Sequence, residues 1–106
     1  MLSELTPAQV AQIILMSREL GRAEAELRAF IDAMDEPALH ELTALMWIGR
    51  GSFDMDEWPE ALRTARAEAT IPTADYLIGT PHLSDHLENG LEALGIDPTE
   101  AEDDLL

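Results

Sequence analysis

Cysteine and lysine are both absent from this chain of 106 residues, and valine occurs once. Without cysteine there is no disulfide framework and no thiol nucleophile, an absence compatible with any compartment. Without lysine there is no phosphate-loop lysine, no Schiff-base amine and no kinase-type ATP lysine. Basic charge is scarce altogether. Six arginines stand against 22 acidic residues, a formal net charge of −16. Nucleic-acid binding draws on basic side chains that displace phosphate counterions, so this balance argues against direct binding to nucleic acid. Long apolar runs are also missing. The densest are Ile13-Ile14-Leu15-Met16 and Leu42 to Ile48, far short of the ~20 residues that span a bilayer. The start, Met1-Leu2-Ser3-Glu4-Leu5, carries no positive segment and no apolar stretch. No signal peptide and no membrane association are therefore expected, and the cytoplasm is the expected location.

What is present is helical material. Sixteen leucines and fifteen alanines accompany the single valine. Leucine and alanine are strong helix formers, and β-branched residues, which favour strands, are few. No stretch alternates apolar and polar residues long enough for a strand. The expected fold is all-α: a compact bundle of five or six short helices with an acidic, flexible C-terminal tail. Residues 1–96 are expected to form one helical domain, and 97–106 a largely disordered tail.

The chain carries its own punctuation. Thr6-Pro7-Ala8-Gln9 reads as a capping box with proline at the first helical position. Residues 7–34 make two helices or one bent one, with Gly21 as the weak point. Asp35-Glu36-Pro37 ends that pattern and starts a third helix that runs to about Ile48. Leu39, Leu42 and Met46 form its stripe, and Trp47 and Ile48 point elsewhere, so it is apolar on several sides. Such a helix is buried on several sides, at the centre of the fold or in a dimer interface. Gly49-Arg50-Gly51 then stops it. Asp54 and Glu57 read as an acidic capping box, with Phe53 and Trp58 as its hydrophobic staple; the next helix starts there or at Pro59 and continues to about Thr70. A short helical segment covers Ala74 to Ile78. Thr80-Pro81 repeats the cap-plus-proline pattern before a last helix from about Pro81 to Leu94. Gly90 shares the leucine face of that helix, where a glycine admits close approach by a neighbour.

Charge is polarised along the sequence. No arginine lies beyond Arg66, and the second half carries most of the acid. An acidic face suits a basic protein partner or a cation; it also simply solvates a small protein.

Candidate chemistry is sparse. His82 and His86 stand four apart on the expected last helix, a spacing that lets both reach one metal ion. The residues between them are Leu83, Ser84 and Asp85, without the glutamate of a zinc-peptidase helix. A third ligand, His40 or a carboxylate, has to come from another helix. The alternative reading is a pair of boundary histidines. Arg50 lies between two glycines directly after the most apolar segment. It reads as an anion contact, or as a salt-bridge partner of Asp54 or Asp56. Tyr76, the one tyrosine, reads as core or interface packing, as does Trp47. Trp47, Arg50 and Tyr76 are thus the interface or ligand candidates, and no catalytic residue stands out.

Met46-Trp47-Ile48-Gly49-Arg50-Gly51, the acidic-aromatic stretch to Trp58 and the segment Ala74 to Leu83 together resemble a bacterial family of short acidic proteins classed as a domain of unknown function. The resemblance runs over roughly residues 5–95, and Trp-Ile-Gly-Arg-Gly is its most specific part. It implies a small cytoplasmic helical domain and brings no catalytic residue or cofactor with it.

The function expected from these residues is a non-catalytic protein-interaction or self-associating module. Its partner is another protein or a second copy in a homodimer, and no cofactor is expected. One alternative is a divalent-metal enzyme or sensor using His82 and His86. Another is an acidic decoy that binds a basic nucleic-acid-binding protein.

Overall fold

Capping boxes stand at two of the helical starts, Thr6 with Gln9 and Asp54 with Glu57. The computed structural model describes residues 2–69 and 71–97. At its start the Thr6 hydroxyl accepts the Gln9 N–H at 3.1 Å, and the Gln9 side chain accepts the Thr6 N–H at 2.9 Å. Helix α1, Pro7–Arg18, follows from this cap. Glu19 leaves helical geometry (φ −108°, ψ 35°), and α2 runs over Leu20–Asp32. Residues 7–34 are therefore two helices. The break falls at Glu19, whereas Gly21, where the sequence pattern put the weakness, lies inside the first turn of α2.

Helix α3, Glu36–Arg50, carries proline in its first turn. It ends two residues later than the apolar pattern indicates, because Gly49 remains helical and Gly51 supplies the left-handed cap (φ 87°). That conformation costs glycine nothing and closes the helix with the Gly51 N–H on the Ile48 carbonyl at 3.1 Å. The Asp54–Glu57 box forms around a 3-10 turn, Met55–Glu57, with the Glu57 carboxylate accepting the Asp54 N–H at 2.8 Å. Helix α4, Trp58–Ala67, follows directly with Pro59 in its first turn. Both expected starts are thus used in succession, and the helix stops short of Thr70. Helix α5 spans Thr73–Ile78 and α6 spans Leu83–Ala93.

Among the described residues the chain is all-α, with six α-helices and no strand. Its Cα radius of gyration is 12.5 Å, close to the ~13 Å of a compact chain of about this length. Helix α3 packs against α6 and α4, α1 against α2 and α6, and α2 against α5. The core joins Ile13 and Ile14 of α1, Leu27 and Ile31 of α2, Leu42, Leu45 and Met46 of α3, Leu77 of α5, and Leu87 and Leu91 of α6. Trp47 and Ile48 are buried as well, at 7 % and 6 % exposure. The several apolar sides of α3 are covered by helices of its own chain. Two scarce arginines tie helices together: Arg18 pairs with Glu88 of α6, and Arg28 with Asp75 of α5. No helix among the described residues is long and apolar enough to cross a membrane. The acidic tail expected over 97–106 lies, apart from Asp97, outside the described residues.

Candidate functional site

A hollow of about 180 Å³ opens where α3, α4 and α5 meet. Helix α3 contributes His40, Thr43 and Trp47, which recur at helical spacing on one side of it. Ala65, Glu68 and Ala69 come from α4 and its C-terminal end, and Thr73 and Tyr76 from α5. Ile71, between those two helices, also lines it and is 54 % exposed.

The aromatic wall is fixed by a hydrogen bond. The Trp47 Nε1–H donates to the Tyr76 hydroxyl oxygen at 2.9 Å. The bond consumes the single donor of the indole and leaves the Tyr76 hydroxyl proton available to another acceptor. Phe53 packs on the Trp47 ring, with centroids 5.8 Å apart and planes inclined by 34°. The ring that holds Trp47 in place is thus Phe53, the residue the sequence pattern paired with Trp58. His40 is largely buried, and its Nε2 lies 3.5 Å from the Glu36 carboxylate one turn earlier on α3. Two threonine hydroxyls, one imidazole, one carboxylate and two aromatic rings make a lining suited to binding through packing and a few polar contacts.

Of the sequence-derived candidates, Trp47 and Tyr76 converge on this hollow, and Arg50, His82 and His86 stand elsewhere. Arg50 is exposed at the end of α3, where its Nε donates to the Ser52 hydroxyl at 3.0 Å. Among the described residues it forms no ion pair with Asp54 or Asp56.

His82 does not belong to a helix. It is the N-terminal cap of α6, with left-handed geometry (φ 60°, ψ 33°) and a side chain 77 % exposed. The Thr80-Pro81 pattern fails to start α6 because the Thr80 hydroxyl is already engaged, donating to the Tyr76 carbonyl at 2.8 Å and closing α5. Of the two histidines spaced four apart, only His86 therefore lies within α6. His82 Nδ1 instead lies 3.9 Å from Asp85. His86, half-buried in α6, sets its backbone carbonyl against Gly49. Among the described residues, no group of three or more histidine, aspartate or glutamate side chains could hold a metal ion.

The sequence reasoning also missed Glu41. Its side chain is 3 % exposed and sits on the buried face of α3. The carboxylate accepts N–H bonds from Ser3, Glu4 and Leu5 at 3.0–3.3 Å and the Ser3 hydroxyl at 2.8 Å. Burial pushes this carboxyl up, but the hydrogen bonds from Leu5, Ser3 and Glu4 outweigh it and hold the group below the ordinary carboxylate value. A signal was present in the sequence. Ala38, Glu41, Leu42, Leu45 and Ile48 recur at intervals of three and four, so Glu41 interrupts a core stripe, where a charge must be paired or hydrogen-bonded.

The model of a family described as "Protein of unknown function (DUF3775)" matches residues 24–96. The chain belongs to this family. The DUF3775 segment contains every described residue lining the hollow, together with Glu41, Gly49 and Gly90. It begins inside α2, so α1 and the Ser3–Leu5 segment that Glu41 holds lie outside it. No curated protein and no solved structure matches the chain.

Proposed function

We propose that this DUF3775 chain is a non-catalytic protein-interaction module, and that the hollow between α3, α4 and α5 receives one side chain of its partner. The observation that carries this reading is the size and lining of the hollow. At about 180 Å³ it is smaller than the ~300–1,000 Å³ of ordinary small-molecule and cofactor sites. It is comparable with the ~150 Å³ cavity that admits one benzene ring. A socket of that size, walled by a buried tryptophan and a tyrosine, has the character of an interface hot spot.

The partner is a different protein rather than a second copy of the chain. Two chains of formal charge −16 repel each other across any shared face. The apolar surface of α3 that favoured self-association in the sequence is already consumed inside the chain.

Selection of short peptides from a random display library on the purified chain tests this. Ala69 is exposed at the edge of the hollow, so Ala69→Phe blocks it without entering the core. Selected peptides should bind the unsubstituted chain and lose at least about tenfold in affinity against Ala69→Phe, the scale of one hot-spot contact. Its melting temperature should be unchanged. No enrichment, or equal binding to the blocked variant, would overturn the reading.

A further inference from the structure

We infer that residues 3–5 form a strap that opens and recloses on Glu41 while the six α-helices stay folded. Three observations carry it. The first is the latch. Among the described residues, the hydrogen bonds that the Glu41 carboxylate accepts all come from this segment: the Ser3, Glu4 and Leu5 N–H groups at 3.0–3.3 Å and the Ser3 hydroxyl at 2.8 Å. The segment lies outside the helices, so one carboxylate does for its N–H groups what a helix or sheet ladder does elsewhere. The second is the independence of α1. Its cap is local, Thr6 with Gln9, and Val10, Ile13 and Ile14 hold it to the core at 0 % exposure. Helix α1 therefore keeps its start and its packing when the residues before Thr6 leave. The third is how little opening uncovers. Ser3 and Glu4 are already exposed, and Leu5, at 2 %, is the one buried residue of the strap. Segments with few buried apolar contacts open at the low end of the local free-energy range. Opening also returns the carboxylate to water instead of stranding it, because the segment that leaves is the one that bonds it. A charge left buried without partners would make the same step far more costly. The open form vacates the place of Leu5 in the core beside an ionised carboxylate. Glu41 does not line the hollow between α3, α4 and α5, so the strap and the interaction module stand or fall separately.

Native-state hydrogen exchange on the full chain tests this, read amide by amide by NMR at neutral pH in rising low concentrations of urea. Protection is taken relative to the intrinsic rate of each amide. The Glu4 and Leu5 amides should be protected by about tenfold or more, yet exchange at least about a hundredfold faster than those of Leu45 and Met46 in α3. Their exchange should hardly respond to urea, because opening the strap exposes little surface, whereas Leu45 and Met46 should follow the steep dependence of global unfolding. Glu41→Gln should lower the protection of Glu4 and Leu5 by about tenfold or more, and Ser3→Ala, which removes one hydroxyl bond, by about threefold or more. Ser3 is exposed, so Ser3→Ala carries the test if Glu41→Gln fails to fold. Glu4 and Leu5 amides that share the opening free energy and urea dependence of Leu45 and Met46 would overturn the inference, since the strap would then open only with the whole fold. Unprotected Glu4 and Leu5 amides would overturn it from the other side, since no strap would be closed in solution. Protection unchanged in the substituted chain would overturn Glu41 as the latch.

Discussion

Gly49 of α3 and Gly90 of α6 lie at a crossing too close for any side chain. A Cβ on Gly49 would stand 1.6 Å from the His86 carbonyl oxygen, and one on Gly90 would stand 2.5 Å from the Leu45 carbonyl oxygen. Both obstructions are backbone, which cannot swing aside. Gly49→Ala and Gly90→Ala should each destabilise the fold, although alanine is the better helix former by about 1 kcal/mol. Overpacking commonly costs about 1–3 kcal/mol and occasionally more. Gly49→Ala, with the shorter approach, should be the worse of the two and should exceed that range. Denaturant unfolding of the two variants checks the order. A Gly90→Ala chain more stable than the unsubstituted one would show that the helices separate at little cost.

Gly21 is the counter-case. It lies within α2 and has nothing within 4 Å of an added Cβ. Gly21→Ala should therefore stabilise the chain by about 0.5–1 kcal/mol, through helix propensity and a less flexible unfolded state. The same unfolding measurement reads it, with the midpoint moving up. A destabilised Gly21→Ala would mean that the Glu19 break needs flexibility on its C-terminal side.

Glu41 links α3 to the residues before α1, and this link depends on pH. The carboxyl is held below its ordinary value of 4.5 in the folded chain. Its contribution is therefore complete above that value and is lost as pH falls through the lower folded value. Glu41→Gln removes part of the acceptor capacity toward Ser3, Glu4 and Leu5 and should cost about 1–3 kcal/mol at neutral pH. The gap between the two proteins should narrow as pH falls below 4.5, the ordinary value, and on toward the lower value of the folded carboxyl. Stability curves of both proteins against pH separate this effect from the general relief of acidic repulsion, which both share. A gap that stays constant as pH falls well below the ordinary carboxylate value would show that folding leaves the Glu41 carboxyl unshifted.

How far the sequence disclosed the molecule depended on the range of the interaction involved. The two capping boxes, Thr6 with Gln9 and Asp54 with Glu57, were legible because they close within three residues. The central place of α3 was legible because apolar residues on several sides of a helix must all be covered. So was the close approach at Gly90. The start of α6 was misread because the Thr80 hydroxyl bonds backward to Tyr76, a competition between two adjacent helix ends that the Thr-Pro pattern does not resolve. Of the residues around the hollow, Tyr76 was singled out as the one tyrosine and Trp47 for its place in the most apolar segment. His40 entered only as a conceivable metal ligand. Thr43, Glu68, Ile71 and Thr73 carry no local signal, since only the packing of α3, α4 and α5 brings them together. Arg50 drew notice from its glycine neighbours, yet those glycines do other work: Gly49 receives α6 and Gly51 caps α3.

The Trp47–Tyr76 bond gives the last prediction, because it separates the wall of the hollow from the core behind it. Tyr76→Phe keeps the ring and removes the acceptor of the indole N–H. Trp47 is nearly buried, so the N–H is left poorly solvated, and the loss should be about 1 kcal/mol. The Trp47 indole proton resonance should move upfield and exchange with solvent faster, whereas that of Trp58, which has a different environment in α4, should stay in place. Thermal unfolding and the NMR spectrum together decide the point. An unmoved Trp47 resonance would mean that the hydrogen bond does not persist in solution, and the wall would then be held by Phe53 alone.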